Sequence, residues 1–304
     1  MFKAINQDTK EVAALKIFNI ASPEERALRK GESKMLEELK HPNIMASFGF
    51  EESLEVNLPD KKTSNACVLI MELASEGEFF RKIEDLGALS ETIARTFFGQ
   101  IVSAIGYLHE KCIAHLDLKL ENLLLCADNV LKVGDFGNAI RLSEGQTVQG
   151  LAGTLRFQPP EALEGRDYSP FAADIFALGI ILFVMVQGCL PFGTAERSDP
   201  FYGLIYSQDI QGFWDLHHEQ KKKTGKFSKK PSREFKELFI SLVNPDPQKR
   251  MNVKEIMTSD WLMLETVDAE SLAIWMNTKK KITARREAFA STKSKTMDCV
   301  NELI

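Results

Sequence analysis

The sequence lacks several features that would place it in other protein classes. Its five cysteines form no C-x-x-C pair and are odd in number, which argues against a zinc site and against a closed disulfide framework. The first ten residues lack the apolar core of a signal peptide. The longest apolar run, residues 175–186, is too short to span a bilayer and predicts a buried helix. We therefore expect a reduced, cytoplasmic protein without a membrane partner.

The chain also lacks the basic excess of a general nucleic-acid binder. Its formal net charge is -5, which favours basic partners and argues against nucleic acid. No D-x-[DN]-x-[DN]-G loop occurs, so direct calcium binding is not predicted. With 304 residues, 44% of them hydrophobic, the chain can bury a large core, which we expect to be divided between two lobes.

The pattern of the chain changes near residue 74. Before it, the strand-like segments EVAALKIF (11–18) and ACVLIMEL (66–73) flank one helix. Ser22 as N-cap, followed by Pro23, indicates where that helix begins. The polar stretch 51–65 between the strands is typical of an exposed loop.

Helical periodicity dominates after residue 74. Residues 90–111 carry apolar side chains at i, i+4 and i+8, which predicts an amphipathic helix. This helix leads directly into the polar string HLDLKLEN (115–122). Farther on, the lysine-rich stretch 217–230 is typical of a solvated connection.

Four short segments carry the polar groups that chemistry would need. They are Lys16 on a strand with Glu32 on the next helix, HLDLKLEN, GDFGNA (134–139), and a G-T…P-P-E segment (153–161). Taken alone, residues of these segments have ordinary structural alternatives, and so does Asp174, which precedes the apolar run 175–186. Lys16 could be a surface lysine with a buried stem, Asp174 could cap a helix, and His115 is expected to be a packed core histidine.

In this order and spacing, the four segments match the signature set of protein kinases. From residue 1 to about residue 264, the sequence resembles a serine/threonine protein kinase, and it is most similar to the calcium/calmodulin-dependent and related families. The resemblance implies an α+β fold of two lobes. Residues 1–74 would form a small antiparallel-sheet lobe that lacks its first strand, residues 75–264 a large helical lobe, and residues 265–304 a tail that is helical or partly disordered.

The resemblance implies a nucleotide site for ATP and Mg²⁺. Lys16, oriented by Glu32, would contact the α- and β-phosphates. Asn122 and Asp135 would hold Mg²⁺, a hard cation that prefers oxygen ligands. The adenine ring would be contacted by the hinge and by the residues above and below it: Ala14, Met71, Glu72, Ala74 and Leu124.

The resemblance also implies roles at the substrate side. Asp117 would accept or orient the substrate hydroxyl, and Lys119 would neutralise the γ-phosphoryl group. Glu78 and Glu121 would favour protein substrates with basic residues before the target serine or threonine. Thr154 would bond the catalytic loop. Three further residues would support the site structurally: Glu161 paired with Arg250, and Asp174 beneath the loop backbone.

Two departures from the family pattern bear on activity. Leu116 stands where the family has an arginine that binds a phosphorylated activation segment, and Gly150 stands where the phosphorylated hydroxyl commonly sits. We therefore expect an activation segment that this contact does not switch, with Thr147 and Ser143 as candidate phosphosites. No G-x-G-x-x-G precedes Lys16. Either the glycine loop lies upstream of Met1 or the protein works without it.

The tail carries a candidate partner site. On a helix, this stretch would combine three apolar residues, Trp275, Ile282 and Phe289, with a basic set, a pattern similar to calmodulin targets. The basic set includes Lys279, Lys280, Lys281, Arg285 and Arg286. The alternatives are a helix packed on the large lobe and a partly disordered tail. The sequence as a whole favours a serine/threonine kinase. The alternative is a pseudokinase or truncated kinase fragment that acts as a scaffold.

Overall fold

A computed structural model describes residues 1–18, 22–56, 64–143, 145–224 and 230–278. The chain forms a small lobe built on a four-stranded sheet and a large lobe built mainly of helices. The predicted two-lobed α+β fold is therefore confirmed. Most of the buried apolar side chains of both lobes belong to one continuous core cluster.

The small lobe is an antiparallel sheet. Its strands are β1 (Phe2–Ile5), β2 (Val12–Phe18), β3 (Ser47–Val56) and β4 (Ser64–Glu72), in the order β1-β2-β4-β3. In the register of β2 with β4, Ala14 lies opposite Met71 and Lys16 lies opposite Leu69. This register places the strand lysine beside the last residues of β4.

Helix α1 (Pro23–Glu38) packs across the sheet. Ser22 caps it, since the Ser22 hydroxyl accepts a hydrogen bond from the backbone N–H of Glu25, and Pro23 occupies the first turn. The helix buries Glu32 and Leu36 on its inner face. A buried glutamate on this face needs a charged partner in the sheet or beyond it.

The large lobe contains the remaining elements of the described chain. In order, they are β5 (Gly77–Glu78), α2 (Phe79–Leu86), α3 (Glu91–Glu110), β6 (Ile113–Ala114), β7 (Leu123–Leu125), β8 (Leu131–Val133), β9 (Ile140–Arg141), α4 (Pro160–Leu163), α5 (Pro170–Gln187), α6 (Tyr202–Tyr206), α7 (Ile210–Thr224), α8 (Arg233–Leu242), α9 (Val253–Met257) and α10 (residues 269–278). Short 3-10 turns lie at Leu120–Asn122, Ala127–Asn129, Leu155–Phe157 and Pro247–Lys249.

Helix α5 is the centre of the large lobe. It is long and apolar enough to cross a membrane by composition, with a mean hydropathy of 2.0, but 89% of it is buried inside the protein. Ser169 caps its start through the N–H of Ala172, and Pro170 occupies the first turn. Asp174 therefore lies inside the helix, and the alternative that it serves as the helix cap is wrong.

Two loop predictions from sequence need correction. Residues 51–56 continue β3, and only 57–63 of the expected loop lie outside the described residues. Since β3 is an edge strand, its polar side chains face solvent without breaking the strand. Residues 217–224 continue α7 with His217 buried, so this part of the expected connection is helical, although most of its other side chains are exposed. Residues 225–229 of the expected connection lie outside the described residues.

The segment after α9 packs on α3. Arg95 donates to the carbonyls of Trp261 and Glu265, at 2.5 and 2.7 Å. Asp268 caps α10 through the N–H of Ser271, and α10 buries Leu272 and Met276 in the main core. The described part of the predicted tail is thus a helix packed on the large lobe.

Candidate active site

The strand lysine, the helix glutamate and the D-F-G aspartate meet between the lobes. Nζ of Lys16 lies 2.8 Å from Oδ1 of Asp135 and 3.4 Å from Oε1 of Glu32. The Glu32 side chain is only 3% exposed, whereas that of Asp135 is 46% exposed. A buried carboxylate thus fixes one side of the ammonium, and a half-exposed carboxylate lies on its open side.

The electrostatics at Asp135 favour its ionised form. Burial raises the pKa of the Asp135 carboxyl, but the hydrogen bond and charge of Lys16, with the backbone of Gly137, outweigh burial and leave the pKa below its usual value. Asp135 has a φ of 57°, a left-handed conformation that is uncommon outside glycine. Phe136, buried in the core, packs its ring 4.9 Å from the fully buried ring of His115 and holds this turn.

The second cluster lies on the loop that follows β6. Nζ of Lys119 donates to Oδ2 of Asp117 and to the hydroxyl of Thr154, both at 2.8 Å. The Thr154 hydroxyl in turn donates to Oδ1 of Asp117 at 2.9 Å. The three side chains therefore form a closed ring of hydrogen bonds around the Asp117 carboxylate.

Gly153 allows the activation segment, which runs from the D-F-G motif to the P-P-E motif (residues 138–161), to approach this ring. Its φ is 79°, and an added Cβ would lie 2.4 Å from the carbonyl oxygen of Leu116 and 2.7 Å from Oδ1 of Asp117. Any side chain at this position would push Thr154 away from Asp117. The glycine of the G-T pair is thus required by close backbone approach.

Asp174 supports the same loop from below. Its Oδ2 accepts the backbone N–H of His115 at 2.9 Å, and its Oδ1 accepts that of Leu116 at 2.9 Å. Nε2 of His109 lies 3.0 Å from Oδ2 of Asp174. Asp174 is 1% exposed, so these bonds satisfy a buried carboxylate and fix the turn at Leu116.

The two clusters are joined through the backbone. The N–H of Gly134 donates to the carbonyl of Asn122 at 2.9 Å, and Nε2 of His115 lies 3.0 Å from the carbonyl of Gly134. The Asn122 amide nitrogen donates to the Asp117 carbonyl at 2.7 Å. The amide nitrogen of Asn122 is therefore engaged with Asp117, and the amide oxygen is the atom of this side chain that could bind a metal.

Asn122 and Asp135, the two residues expected to bind the metal, carry oxygen ligands of the kind that Mg²⁺ prefers. No group of three or more His, Cys, Asp or Glu side chains that could hold a metal occurs in the described parts of the chain. Mg²⁺ does not need such a cage, because it binds through one or two protein oxygens together with substrate phosphates and water. Asp135, held ionised and half exposed, and the oriented Asn122 amide supply oxygens of that kind.

Of the residues expected around adenine, Met71 and Glu72 end β4, whereas Ala14 lies on β2 and Leu124 on β7. Met71 and Ala14, paired across the sheet, are 3% and 4% exposed. The Glu72 carboxylate pairs with Nζ of Lys132 at 2.8 Å, and the Glu72 backbone N–H donates to the Ala46 carbonyl. From below, Leu124 approaches the D-F-G turn, since a Cβ on Gly134 would lie 3.2 Å from its Cδ1.

Three other residues expected to contact adenine or the peptide substrate differ in whether their polar groups are already bound within the protein. The carbonyl of Ala74 accepts the N–H of Gly77. Glu121 is exposed on the 3-10 turn before Asn122. Glu78 is partly neutralised, because Nε of Arg81 lies 3.2 Å from its carboxylate.

Leu116 lies in a small apolar cluster of its own. It is 7% exposed and packs with Leu142 and Tyr168, with Val148 and Ala152 at the margin. Val148 and Tyr168 also exchange backbone hydrogen bonds at 3.0 Å. The position where the family has an arginine is therefore an apolar contact with the activation segment.

Glu161 and Arg250 form a buried ion pair. Nη1 and Nη2 of Arg250 reach the two Glu161 oxygens at 2.6 and 2.7 Å, and both side chains are 1% exposed. Arg250 also donates to the carbonyls of Asn244 and Ala172. The pair thus ties the end of the activation segment to the turn before α9.

One residue of the site was missed from sequence. Arg29, three residues before Glu32 on α1, places Nη1 3.1 Å from Oε2 of Glu32. The i, i+3 spacing of an arginine and a buried glutamate is a signal that could have identified it. Of the candidate tail motif, Trp275 is partly buried against the core. Its other members lie outside the described residues: Lys279, Lys280, Lys281, Ile282, Arg285, Arg286 and Phe289.

Curated relatives are similar to most of this chain. The probable serine/threonine-protein kinase MARK-A of Dictyostelium discoideum is 34% identical over 83% of the chain, and the CBL-interacting protein kinase 26 of Oryza sativa is 35% identical over 76%. Aurora kinase of D. discoideum is 30% identical over 78%. The matches span 22%, 42% and 54% of these relatives, respectively, so the chain corresponds to one part of longer proteins.

The family comparison covers nearly all of the two lobes. A model of the protein kinase domain matches residues 1–262. This range contains both ionic clusters and the buried Glu161–Arg250 pair. The chain belongs to the protein kinase domain family.

Proposed function

We propose that this protein is a serine/threonine kinase that transfers the γ-phosphoryl group of ATP to protein hydroxyls. The observation that carries the proposal is the joining of two ionic clusters. Lys16, Glu32 and Asp135 form one, Asp117, Lys119 and Thr154 form the other, and the Gly134–Asn122 hydrogen bond connects them. Phosphoryl transfer needs this kind of positioning and charge neutralisation more than covalent participation.

The first cluster would hold the nucleotide. Lys16 would contact the α- and β-phosphates while Glu32 keeps its ammonium in place. Asn122 and Asp135 would hold Mg²⁺, which when bound neutralises charge on the phosphate oxygens. The half-exposed Asp135 carboxylate supports this assignment, because it faces the cleft while Lys16 holds it in place.

The second cluster would act on the substrate hydroxyl. The hydroxyl oxygen forms a bond to the γ-phosphorus as the bond from phosphorus to the ADP oxygen breaks. Asp117 would accept or orient the hydroxyl proton, and Lys119 would neutralise the transferring group. Thr154 holds Asp117 and Lys119 together, so it would act by positioning them.

The activation segment would be held in place without the contact between an arginine at the position of Leu116 and a phosphorylated residue. Leu116 packs on Leu142 and Tyr168, and this apolar contact takes the place of an arginine–phosphate pair. The Tyr168 hydroxyl donates to the carbonyl of Gly150 at 3.2 Å, which supports a segment already docked.

Substrate and partner preferences are further parts of this proposal. The exposed Glu121 and Glu78, which also pairs with Arg81, would favour basic residues before the target serine or threonine.

A calmodulin-like partner of the tail would have to compete with the large lobe. Leu272 and Met276 of α10 are each 3% exposed, and Trp275 packs beside them.

The test is phosphate transfer from radiolabelled Mg-ATP to basic peptides with serine, threonine or tyrosine as the acceptor. Wild-type protein should label serine and threonine peptides, and Asp135→Asn should not, which controls for a contaminating kinase. Wild-type protein that binds Mg-ATP without transferring phosphate would instead favour the scaffold alternative. Equal labelling by both proteins would contradict the role of Asp135.

A further inference from the structure

The Glu32 carboxylate is bound by two cations. Lys16 approaches Oε1 at 3.4 Å from the sheet, and Arg29 approaches Oε2 at 3.1 Å from the preceding turn of α1. Lys16 lies closer to Asp135, at 2.8 Å, than to Glu32. Of the two cations, Arg29 makes the shorter contact with Glu32, and it orients the buried carboxylate from the helix side.

Arg29 also contacts the D-F-G turn. A Cβ built on Gly137 would lie 3.0 Å from Nη1 of Arg29 and 3.4 Å from Oδ1 of Asp135. The guanidinium therefore lies close to the glycine backbone, where an added Cβ would make a tight contact with it. Arg29 bridges α1 and the turn that carries Asp135.

An aromatic face holds the guanidinium in this place. Cζ of Arg29 lies 4.9 Å from the ring centroid of Phe18, and Nζ of Lys16 lies 5.3 Å from the same centroid. Both cations thus share one ring at the end of β2. Within the described chain, Nε of Arg29 is buried without a hydrogen-bond partner. Such a donor is unfavourable, so the contacts of Nη1 and the ring must outweigh it.

We propose that Arg29 is a positioning residue for the nucleotide site. It fixes Glu32 independently of Lys16, so that the Lys16 ammonium can serve the phosphates without releasing α1. It also holds α1 against Gly137, which sets the distance between Glu32 and Asp135. This inference rests on the proposed kinase function.

The experiment compares Arg29→Gln with Arg26→Gln, the same change one turn earlier on α1. Arg26 is exposed and donates to the backbone carbonyl of Glu52, away from the site. We expect Arg29→Gln to raise the KM for ATP about tenfold or more, as loss of a charged hydrogen bond predicts. Its kcat should fall less, because the phosphates are bound in both ground and transition states. Arg26→Gln should match wild type.

The variant Arg29→Lys distinguishes a role in positioning Glu32 from a general contribution to folding stability. Lysine keeps the charge but not the planar fork or the full ring contact, so it should recover part of the affinity. Thermal unfolding is measured on all three variants. A lowered unfolding temperature in Arg29→Gln with an unchanged KM for ATP would overturn the proposal. So would a KM equally raised in Arg26→Gln.

Direct Mg-ATP binding keeps this inference distinct from the kinase proposal. If wild type transfers no phosphate but binds Mg-ATP, weaker binding by Arg29→Gln than by Arg26→Gln still supports the positioning role. Equal affinities of the two variants, or no binding by any of the proteins, would overturn it.

Discussion

Nζ of Lys16 and Oδ1 of Asp135 lie 2.8 Å apart although the two residues are 119 positions apart in sequence. This ion pair joins the sheet of the small lobe to a turn of the large lobe. Lys16 is 21% exposed and Asp135 46% exposed, so the pair faces the cleft between the lobes. In the proposed nucleotide site, this pair would supply the fixed cation for a phosphate and the carboxylate for its metal.

Removal of the Thr154 hydroxyl, which binds both Asp117 and Lys119, should lower the rate of phosphate transfer. Thr154→Ala leaves Lys119 and Asp117 without their shared partner, and a hydrogen bond to a charged group contributes about 1.5–3 kcal/mol. We therefore expect kcat to fall about 10- to 100-fold, measured by steady-state peptide phosphorylation. Thr154→Ser keeps the hydroxyl and should retain most of the rate. Equal losses in the two variants would contradict the role of the hydroxyl.

The apolar contacts of Leu116 should hold the activation segment in place. Leu116→Ala should destabilise this region by about 2–5 kcal/mol, the usual cost of a large-to-small change in a packed site. Amide hydrogen exchange over residues 142–152 should accelerate, and phosphate transfer should fall with it. Leu116→Met conserves volume and should behave like wild type. Unchanged exchange in Leu116→Ala would show that this cluster does not hold the segment.

The buried pair of Glu161 and Arg250 predicts a large stability effect. Glu161→Gln leaves a cation that is 1% exposed without its charge partner, which costs about 3–5 kcal/mol. Denaturant unfolding should show a much lower midpoint. The matched control is Glu164→Gln, which breaks the exposed pair with Arg166 and should change stability by about 0–1 kcal/mol. Similar shifts in both variants would contradict the prediction.

His217 predicts a loss of stability in acid. Burial lowers the pKa of the His217 imidazole to about 4 from 6.5, against the raising effect of its bond to the Pro191 carbonyl, and Lys221 lowers it further. The unfolded state therefore binds a proton between pH 6.5 and about 4 that the folded state does not. Stability should fall over this window by up to about 3 kcal/mol.

The control for His217 is its exposed neighbour. Unfolding free energies are measured from pH 7 to pH 4.5 for His217→Gln and His218→Gln. His217→Gln should flatten the acid slope whatever its stability at neutral pH, and His218→Gln should keep the wild-type slope. An acid slope that His217→Gln leaves unchanged would assign the effect to other groups.

Sequence motifs singled out residues that the structure brings together in the candidate site: Lys16, Asp117, Lys119, Asn122 and Asp135. The roles that the family resemblance implies for them stay predictions. The helix start at Ser22 was also predictable, because a cap depends on neighbouring residues only.

What sequence reasoning missed depends on contacts between distant segments. The role of Arg29 follows from the approach of α1 to Gly137, more than a hundred residues away. The sequence shows that Leu116 is not an arginine, but only the fold shows that Leu142 and Tyr168 surround it. Polarity misled the interpretation of residues 51–56, because an edge strand tolerates polar side chains.

The most direct test of the central claim is the effect of Mg²⁺ on nucleotide affinity. ATP binding is titrated with and without Mg²⁺ for wild type and Asp135→Asn, a change that removes the charge with little change in shape. The account predicts that Mg²⁺ tightens ATP binding by wild type and that Asp135→Asn loses about tenfold or more of this gain. An equal gain in both proteins would contradict the account, because the metal would then bind without Asp135.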